Sequence, residues 1–128
     1  MTATVAARIF AGLITLVCAF QLALALGAPW GEFAMGGGTP GVYPAPMRLA
    51  AVVQLIVLAV CALIMLSRAG LMLSRWRGLA RPAAWVVVIL LAASLALNLI
   101  TPSLLERLIW APVVFALLLS GLRVASSR

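Results

Sequence analysis

Two glutamates and three amide side chains are the residues of this chain best suited to bind or transform another molecule. The sequence contains no histidine, lysine or aspartate, and Glu32 and Glu106 are its two acids. Two carboxylates on one face could form an acid/base pair, but the other side chains that commonly assist catalysis are missing. We therefore expect neither an enzyme nor a bound cofactor.

The two cysteines carry no chemical signature either. Cys18 and Cys61 are not part of a C-x-x-C motif, and no histidine accompanies them. They also fall at different depths of the apolar runs described below, so a shared metal site or a disulfide is not indicated. We predict no metal site and interpret both thiols as small core residues.

The amides Gln21, Gln54 and Asn98 each interrupt an apolar run close to one of its ends. On helices rising about 1.5 Å per residue they would lie roughly 9, 10 and 6 Å inward, and so in one layer. Amides in hydrocarbon need partners, which predicts a network between helices that face the same interior. This network either holds the helices together or forms the floor of a small pocket.

Glu106 follows a helix start signal. Ser103-Leu-Leu-Glu106 precedes an apolar run and has the Ser-x-x-Glu pattern of a capping box. Glu106 is therefore expected to be structural. Arg107 could reach Glu32, and Arg48 could do the same, so we predict outer ion pairs among Glu32, Arg48, Glu106 and Arg107.

Four long apolar runs must position these side chains. Hydrophobic residues make up 66% of the 128-residue chain, charged residues 9%, and the mean hydropathy is +1.27. These values are typical of membrane proteins and far from those of soluble domains. The predicted fold is a single all-α membrane domain over 1–128, a four-transmembrane-helix bundle with spans at 9–27, 49–67, 83–101 and 104–122.

The first run has one alternative interpretation. Arg8 precedes it, and Ala23-Leu-Ala25 resembles the small residues of a signal-peptide cleavage site. The run is longer than the roughly 7–15 apolar residues of a cleaved signal, however. Its removal would also leave an odd number of spans, which favours a retained helix.

The arginines predict the orientation. Seven of nine lie at the termini and in the loop 68–82, which four spans place on one side, whereas Arg48 and Arg107 lie on the other. Short basic segments stay in the cytoplasm, so both termini are predicted to be cytoplasmic. The isoelectric point near 11.7 is explained by insertion and by anionic membrane lipids, and no nucleic-acid partner is expected.

The cytoplasmic loop 68–82 itself has an amphipathic pattern. Met72, Trp76 and Leu79 recur at helical spacing with arginines on either side. We expect this segment to lie on the lipid headgroups as a short helix or to extend the second helix. Pro82 suits the first turn of the third helix, where its missing N–H is not needed.

The outer loop 28–48 is the least regular part of the chain. Six glycines and four prolines occur within 27–46, which excludes a long regular element. The same stretch contains Trp30, Phe33, Met35, Val42 and Tyr43, whose apolar surfaces are unfavourable in water. The loop should therefore fold back on the bundle, as a lid over a pocket or as a plug of the bundle end. Trp30 and Tyr43 join the three amides as candidate ligand-binding residues.

Two sequence blocks resemble a known group of proteins. They are Ala25-Leu-Gly-Ala-Pro-Trp-Gly31 with Gly36-Gly37, Pro40-Gly41, Pro44 and Arg48, and Asn98-Leu-Ile-Thr-Pro-Ser-x-x-Glu-Arg-x-x-Trp-x-Pro112. Together they resemble an uncharacterised family of small four-span bacterial integral membrane proteins. The resemblance implies four helices in a bacterial cytoplasmic (inner) membrane. It implies no activity, ligand or catalytic residue.

Two functions are compatible with these features. The first is an accessory or interaction subunit that presents the outer loop to a partner membrane protein or to a second copy of the chain. The absence of an energy-coupling group within the spans favours it. The second is a binder or transporter of a small apolar or amphipathic molecule or lipid, which would use an outward-facing, amide-lined pocket.

Overall fold

Four α-helices, one long loop and two short connections make up the whole molecule. The computed structural model describes residues 1–128, with α1 at Ala3–Ala25, α2 at Ala45–Arg68, α3 at Arg77–Ile100 and α4 at Leu104–Ala125. It contains no β-strand, and all four helices are long and apolar enough to cross a membrane. The predicted all-α bundle of four membrane-spanning helices is confirmed.

The segment between α2 and α3 differs from its prediction. The chain turns after Arg68, forms one 3₁₀ turn at Ser74–Trp76 and then enters α3 at Arg77. Only the last part of the amphipathic segment is therefore α-helical, and it extends the third helix instead of the second. As a result Pro82 lies inside α3 and not in its first turn. Gly70 and Leu73 both have positive φ, which reverses the chain before a longer helix two could form.

Side-chain caps begin two of the helices. Thr2 Oγ1 accepts a hydrogen bond from Val5 N at 3.1 Å at the start of α1, and Ser103 Oγ accepts one from Glu106 N at 3.2 Å at the start of α4. Both satisfy an amide that has no partner within its own helix. The α1 helix ends before Gly27, whose φ of 103° suits glycine.

The helices form a closed ring in the order of the chain. The α1 helix packs against α2 and α4, and α3 packs against the same two helices. Consecutive helices run in opposite directions, so the bundle has two chemically different ends. We call the end with Glu32, Glu106 and the long α1–α2 loop the acidic end. The end with both termini and the α2–α3 connection is the basic end.

Two apolar clusters fill the bundle. The larger one contains Phe10, Met65, Val87 and Leu117 among its buried members and joins all four helices. The smaller one lies at the acidic end and consists of Leu24, Ala34, Tyr43 and Ala51. Cys61 belongs to the larger cluster and Cys18 packs against it, which agrees with their interpretation as core residues.

Candidate functional site

The long α1–α2 loop folds back across the acidic end and is attached to the first turns of α4. It contains two 3₁₀ turns, at Gly31–Phe33 and Met35–Gly37. Three hydrogen bonds make the attachment: Gly36 N to Glu106 Oε2 at 2.9 Å, Ser103 Oγ to the Glu32 carbonyl at 3.0 Å, and Trp110 Nε1 to the Phe33 carbonyl at 2.8 Å. The loop between α1 and α2 is thus held by α4, the last helix of the chain.

Gly31 is the point at which the loop closes on itself. Its N–H donates to the Gly41 carbonyl at 3.0 Å. A Cβ atom at Gly31 would lie 2.0 Å from the Thr39 carbonyl oxygen and 2.8 Å from Tyr43 Cε1. The Thr39 carbonyl belongs to the backbone of the returning part of the loop and cannot move aside without opening the loop. This site therefore accepts glycine alone.

Gly31→Ala is therefore expected to open the loop and to lower the free energy of unfolding by about 1–3 kcal/mol, the usual result of forced overpacking. Limited proteolysis of the detergent-solubilised protein measures loop opening, and an unfolding titration measures stability. Gly38→Ala is the matched control, because nothing lies within 4 Å of a Cβ at Gly38. Equal protection of the loop in both variants would contradict the close approach.

Beneath this loop lies a cavity of about 140 Å³. Phe33, Ala34 and Met35 of the loop form its roof, and all four helices contribute to its walls. Leu91 and Leu117, from the larger apolar cluster, lie on the opposite side. The loop therefore covers this space as a lid, and its Ala34 and Tyr43 also fill part of the bundle end. The structure thus combines the two predictions for the loop.

All three predicted amides line this cavity. Gln21 comes from α1, Gln54 from α2 and Asn98 from α3. Their common depth, expected from helix geometry alone, brings them to one space. The positions differ in exposure: Gln21 is buried, with 8% of its surface exposed, whereas Gln54 is exposed and Asn98 is intermediate.

The predicted hydrogen-bonded network between these amides does not form. Asn98 Nδ2 donates to the Ser94 carbonyl at 2.8 Å and approaches Ser94 Oγ at 3.4 Å, both within its own helix. Gln21 Oε1 is buried and has no partner. An unpartnered buried acceptor lowers stability by about 1–3 kcal/mol. These amides therefore do not hold the helices together by hydrogen bonds to one another.

Glu106 also lines the cavity, at the roof where the loop meets α4. Its Oε2 atom accepts two hydrogen bonds, from Gly36 N at 2.9 Å and from Thr101 Oγ1 at 3.0 Å. Both bonds go to the same oxygen, which leaves Oε1 without a protein donor. Only half of the predicted capping box is present, because the carboxylate binds the loop instead of the Ser103 amide.

The predicted outer ion pairs are replaced by helix capping. Arg48 Nε donates to the Ala25 carbonyl at 2.8 Å, at the end of α1, and an Arg107 terminal nitrogen donates to the Thr101 carbonyl at 2.6 Å, at the end of α3. The last carbonyls of a helix lack partners within the helix and carry partial negative charge, so they attract both guanidinium groups. Glu32 takes part in holding the loop through its backbone carbonyl only.

Trp30 and Tyr43 lie next to the cavity but not in its wall. The Trp30 ring is 44% exposed and stacks on Phe20, with 6.2 Å between ring centroids and 7° between planes. Tyr43 is buried in the smaller cluster, and its hydroxyl has no partner. Burial, with a smaller effect from the negative charge of Glu106, raises the pKa of Tyr43. Trp30 therefore packs on a wall residue, Phe20, and Tyr43 packs in the same cluster as Ala34 of the lid.

Among the wall residues that were not sequence candidates, four have aromatic or hydroxyl side chains: Phe20, Phe33, Ser94 and Trp110. Phe20 and Trp110 lie against each other, with 4.6 Å between ring centroids. Spacing could have identified two of them, because Ser94 precedes Asn98 by one helical turn and Trp110 follows Glu106 by one turn. Residues four apart share a helix face. No sequence signal indicated that the aromatic rings and the amides would meet.

Comparison with known proteins adds no relative to this description. No family model, no curated protein sequence and no solved structure matches the chain.

Proposed function

We propose that this protein binds a small amphipathic molecule in the cavity beneath the loop. The observation that carries the proposal is the set of three amides from three helices that line one space without bonding to one another. Polar groups inside a membrane bundle are costly unless they are satisfied. A bound molecule with polar atoms would satisfy them.

The size and the lining of the cavity support the same function. A space of about 140 Å³ is comparable to an engineered protein cavity of ~150 Å³ that holds benzene. Ligand sites typically combine apolar and aromatic walls with a few polar groups that orient the ligand. Here Phe20, Phe33 and Trp110 supply the aromatic part and the amides supply the polar part.

We further propose that the protein resides in a bacterial cytoplasmic membrane with its basic end in the cytoplasm. The excess of arginine at the basic end supports this orientation, because short basic segments are retained on that side. The acidic end, the loop and the cavity would then face outward. The resemblance of the sequence blocks to small bacterial four-span proteins supports the location.

Native mass spectrometry of the protein extracted gently from its own membranes tests the proposal. We expect a stoichiometric small molecule or lipid fragment that survives detergent removal. Gln21→Leu should abolish this species and leave the bundle folded, because it removes an unpartnered buried amide. Thr15→Val is the matched control, since Thr15 lies on the same helix, is exposed and bonds its own backbone. A ligand retained in Gln21→Leu would contradict the proposed site.

An accessory role is the second candidate, and one surface favours it. Gly12, Thr15 and Ala19 are exposed on a single side of α1. Small residues let another transmembrane helix approach closely. A second polypeptide or a second copy in the same mass spectrum, released by Gly12→Leu and Ala19→Leu, would support the accessory role. A spectrum with the bare monomer alone would contradict both candidates.

A further inference from the structure

We infer that the ligand of this cavity is a small organic cation that carries N–H donors, such as a protonated alkylamine. The inference rests on the proposed function and names the chemical class of its ligand. It depends on three features of the cavity wall: unpartnered acceptors, one carboxylate that no arginine hydrogen-bonds, and aromatic rings beside it.

The wall presents acceptors that lack donors. Gln21 Oε1 is buried without a partner, in a residue with 8% of its surface exposed. Glu106 Oε1 accepts no hydrogen bond, because both bonds to this carboxylate use Oε2. The Asn98 amide nitrogen is occupied by Ser94, so the Asn98 oxygen is its free end. A ligand with several N–H groups matches three acceptors better than a ligand with acceptors of its own.

The charge of the wall is negative. Glu106 is the only charged residue among those that line the cavity. The two arginines of the acidic end do not neutralise it through hydrogen bonds, because Arg48 and Arg107 donate to the carbonyls of Ala25 and Thr101. A carboxylate at the edge of a low-dielectric space attracts a cation more strongly than one in water does. An anionic ligand would instead be repelled.

Aromatic rings complete the site. Phe20, Phe33 and Trp110 line the same cavity, and the Trp110 N–H is fixed to the Phe33 carbonyl at 2.8 Å. The faces of aromatic rings attract cations, and cages of such rings recognise ammonium groups. The aliphatic side of the cavity, with Leu91 and Leu117, accommodates the alkyl part of the ligand.

Thermal unfolding of the purified protein in neutral detergent tests this inference with three probes of similar size: butylammonium, 1-butanol and butyrate, at equal ionic strength. Butylammonium should stabilise the protein and bind about ten- to a hundredfold more tightly than 1-butanol, as expected for hydrogen bonds to a charged group. Butyrate should produce no stabilisation. This comparison uses the unmodified chain and does not depend on a variant.

Three variants assign the preference to Glu106. Glu106→Gln should reduce the preference for butylammonium over 1-butanol to less than about threefold, because a neutral amide lacks the charge. Glu32→Gln is the matched control: it removes an exposed acid from the same end and should leave the preference unchanged. Thr101→Val removes one bond to Glu106 Oε2 but keeps the charge, so it should also retain the preference.

The outcomes separate this inference from the proposed function. If butylammonium and 1-butanol bind equally well and both depend on Gln21, the cavity binds amphipathic molecules and the cation assignment is wrong. If Glu32→Gln abolishes the preference as Glu106→Gln does, the preference comes from the negative charge of the surface in general. The cation assignment to this cavity is then also wrong. If none of the probes stabilises the protein, both the cation assignment and binding of molecules of this size are contradicted.

Discussion

Phe10→Ala is expected to lower the free energy of unfolding by about 4 kcal/mol, within the range for buried aromatic residues. Phe10 is fully buried in the larger apolar cluster. Its Cε2 atom lies 3.4 Å from where a Cβ at Gly121 would be, and Met65 and Leu91 approach the same point to 3.5 Å. One ring thus fills the space where all four helices meet, and lipid cannot enter to replace it.

Reversible unfolding in mixed micelles of neutral detergent and dodecyl sulfate measures this loss. Phe115→Ala is the matched control, since Phe115 lies on α4 with 51% of its surface exposed toward the surrounding lipid. That variant should change the free energy of unfolding by less than about 0.5 kcal/mol, as for a surface substitution. Equal losses in the two variants would show that the packed centre of the bundle is not where the structure places it.

Trp110→Ala is expected to lower the free energy of unfolding by about 3 kcal/mol. This value is at the lower end of the range for buried aromatic residues, because Trp110 is only partly buried. The substitution should also release the lid. The change removes the hydrogen bond to the Phe33 carbonyl and the contact with Phe20. Since Phe33 and Phe20 both line the cavity, the roof and one wall lose their support together. Protease cleavage within 28–44 should therefore become faster.

Two other substitutions identify the cause. Trp110→Phe retains a ring but not the N–H donor, so it should show faster loop cleavage with a smaller loss of stability, about 1 kcal/mol for one hydrogen bond. Trp85→Ala removes a tryptophan that is 41% exposed on α3, far from the loop in the chain, and should leave loop cleavage unchanged. If Trp110→Ala leaves the rate of loop cleavage unchanged, the attachment of the loop to α4 through Trp110 is contradicted.

The proposals differ in what they require of Glu106 and Gln21. Binding of any amphipathic molecule needs the cavity and the amides, whereas selection of a cation needs the carboxylate as well. Glu106 has two roles in the structure, since one oxygen holds the loop and the other is open. Ligand binding at Oε1 would therefore occur next to the bond that keeps the lid closed.

The number of helices and the common depth of the polar residues could be read from the sequence. Apolar length decides how often a chain crosses a bilayer, because every backbone polar group there must be satisfied within a helix. The regular rise of those helices then places Gln21, Gln54 and Asn98 in one layer. Cys18 and Cys61, interpreted from the sequence as small core residues, lie against and within the larger apolar cluster.

Only the tertiary structure decided what these side chains contact. Local alternatives compete with each long-range pairing that the sequence suggested: Asn98 bonds Ser94 one turn away, and Arg48 and Arg107 bond the last carbonyls of helices. The contact of Glu106 with Gly36 crosses 70 residues and depends on glycine conformations in the loop. Sequence periodicity describes one helix at a time, whereas the cavity and its lid exist only where four helices and an irregular loop pack together.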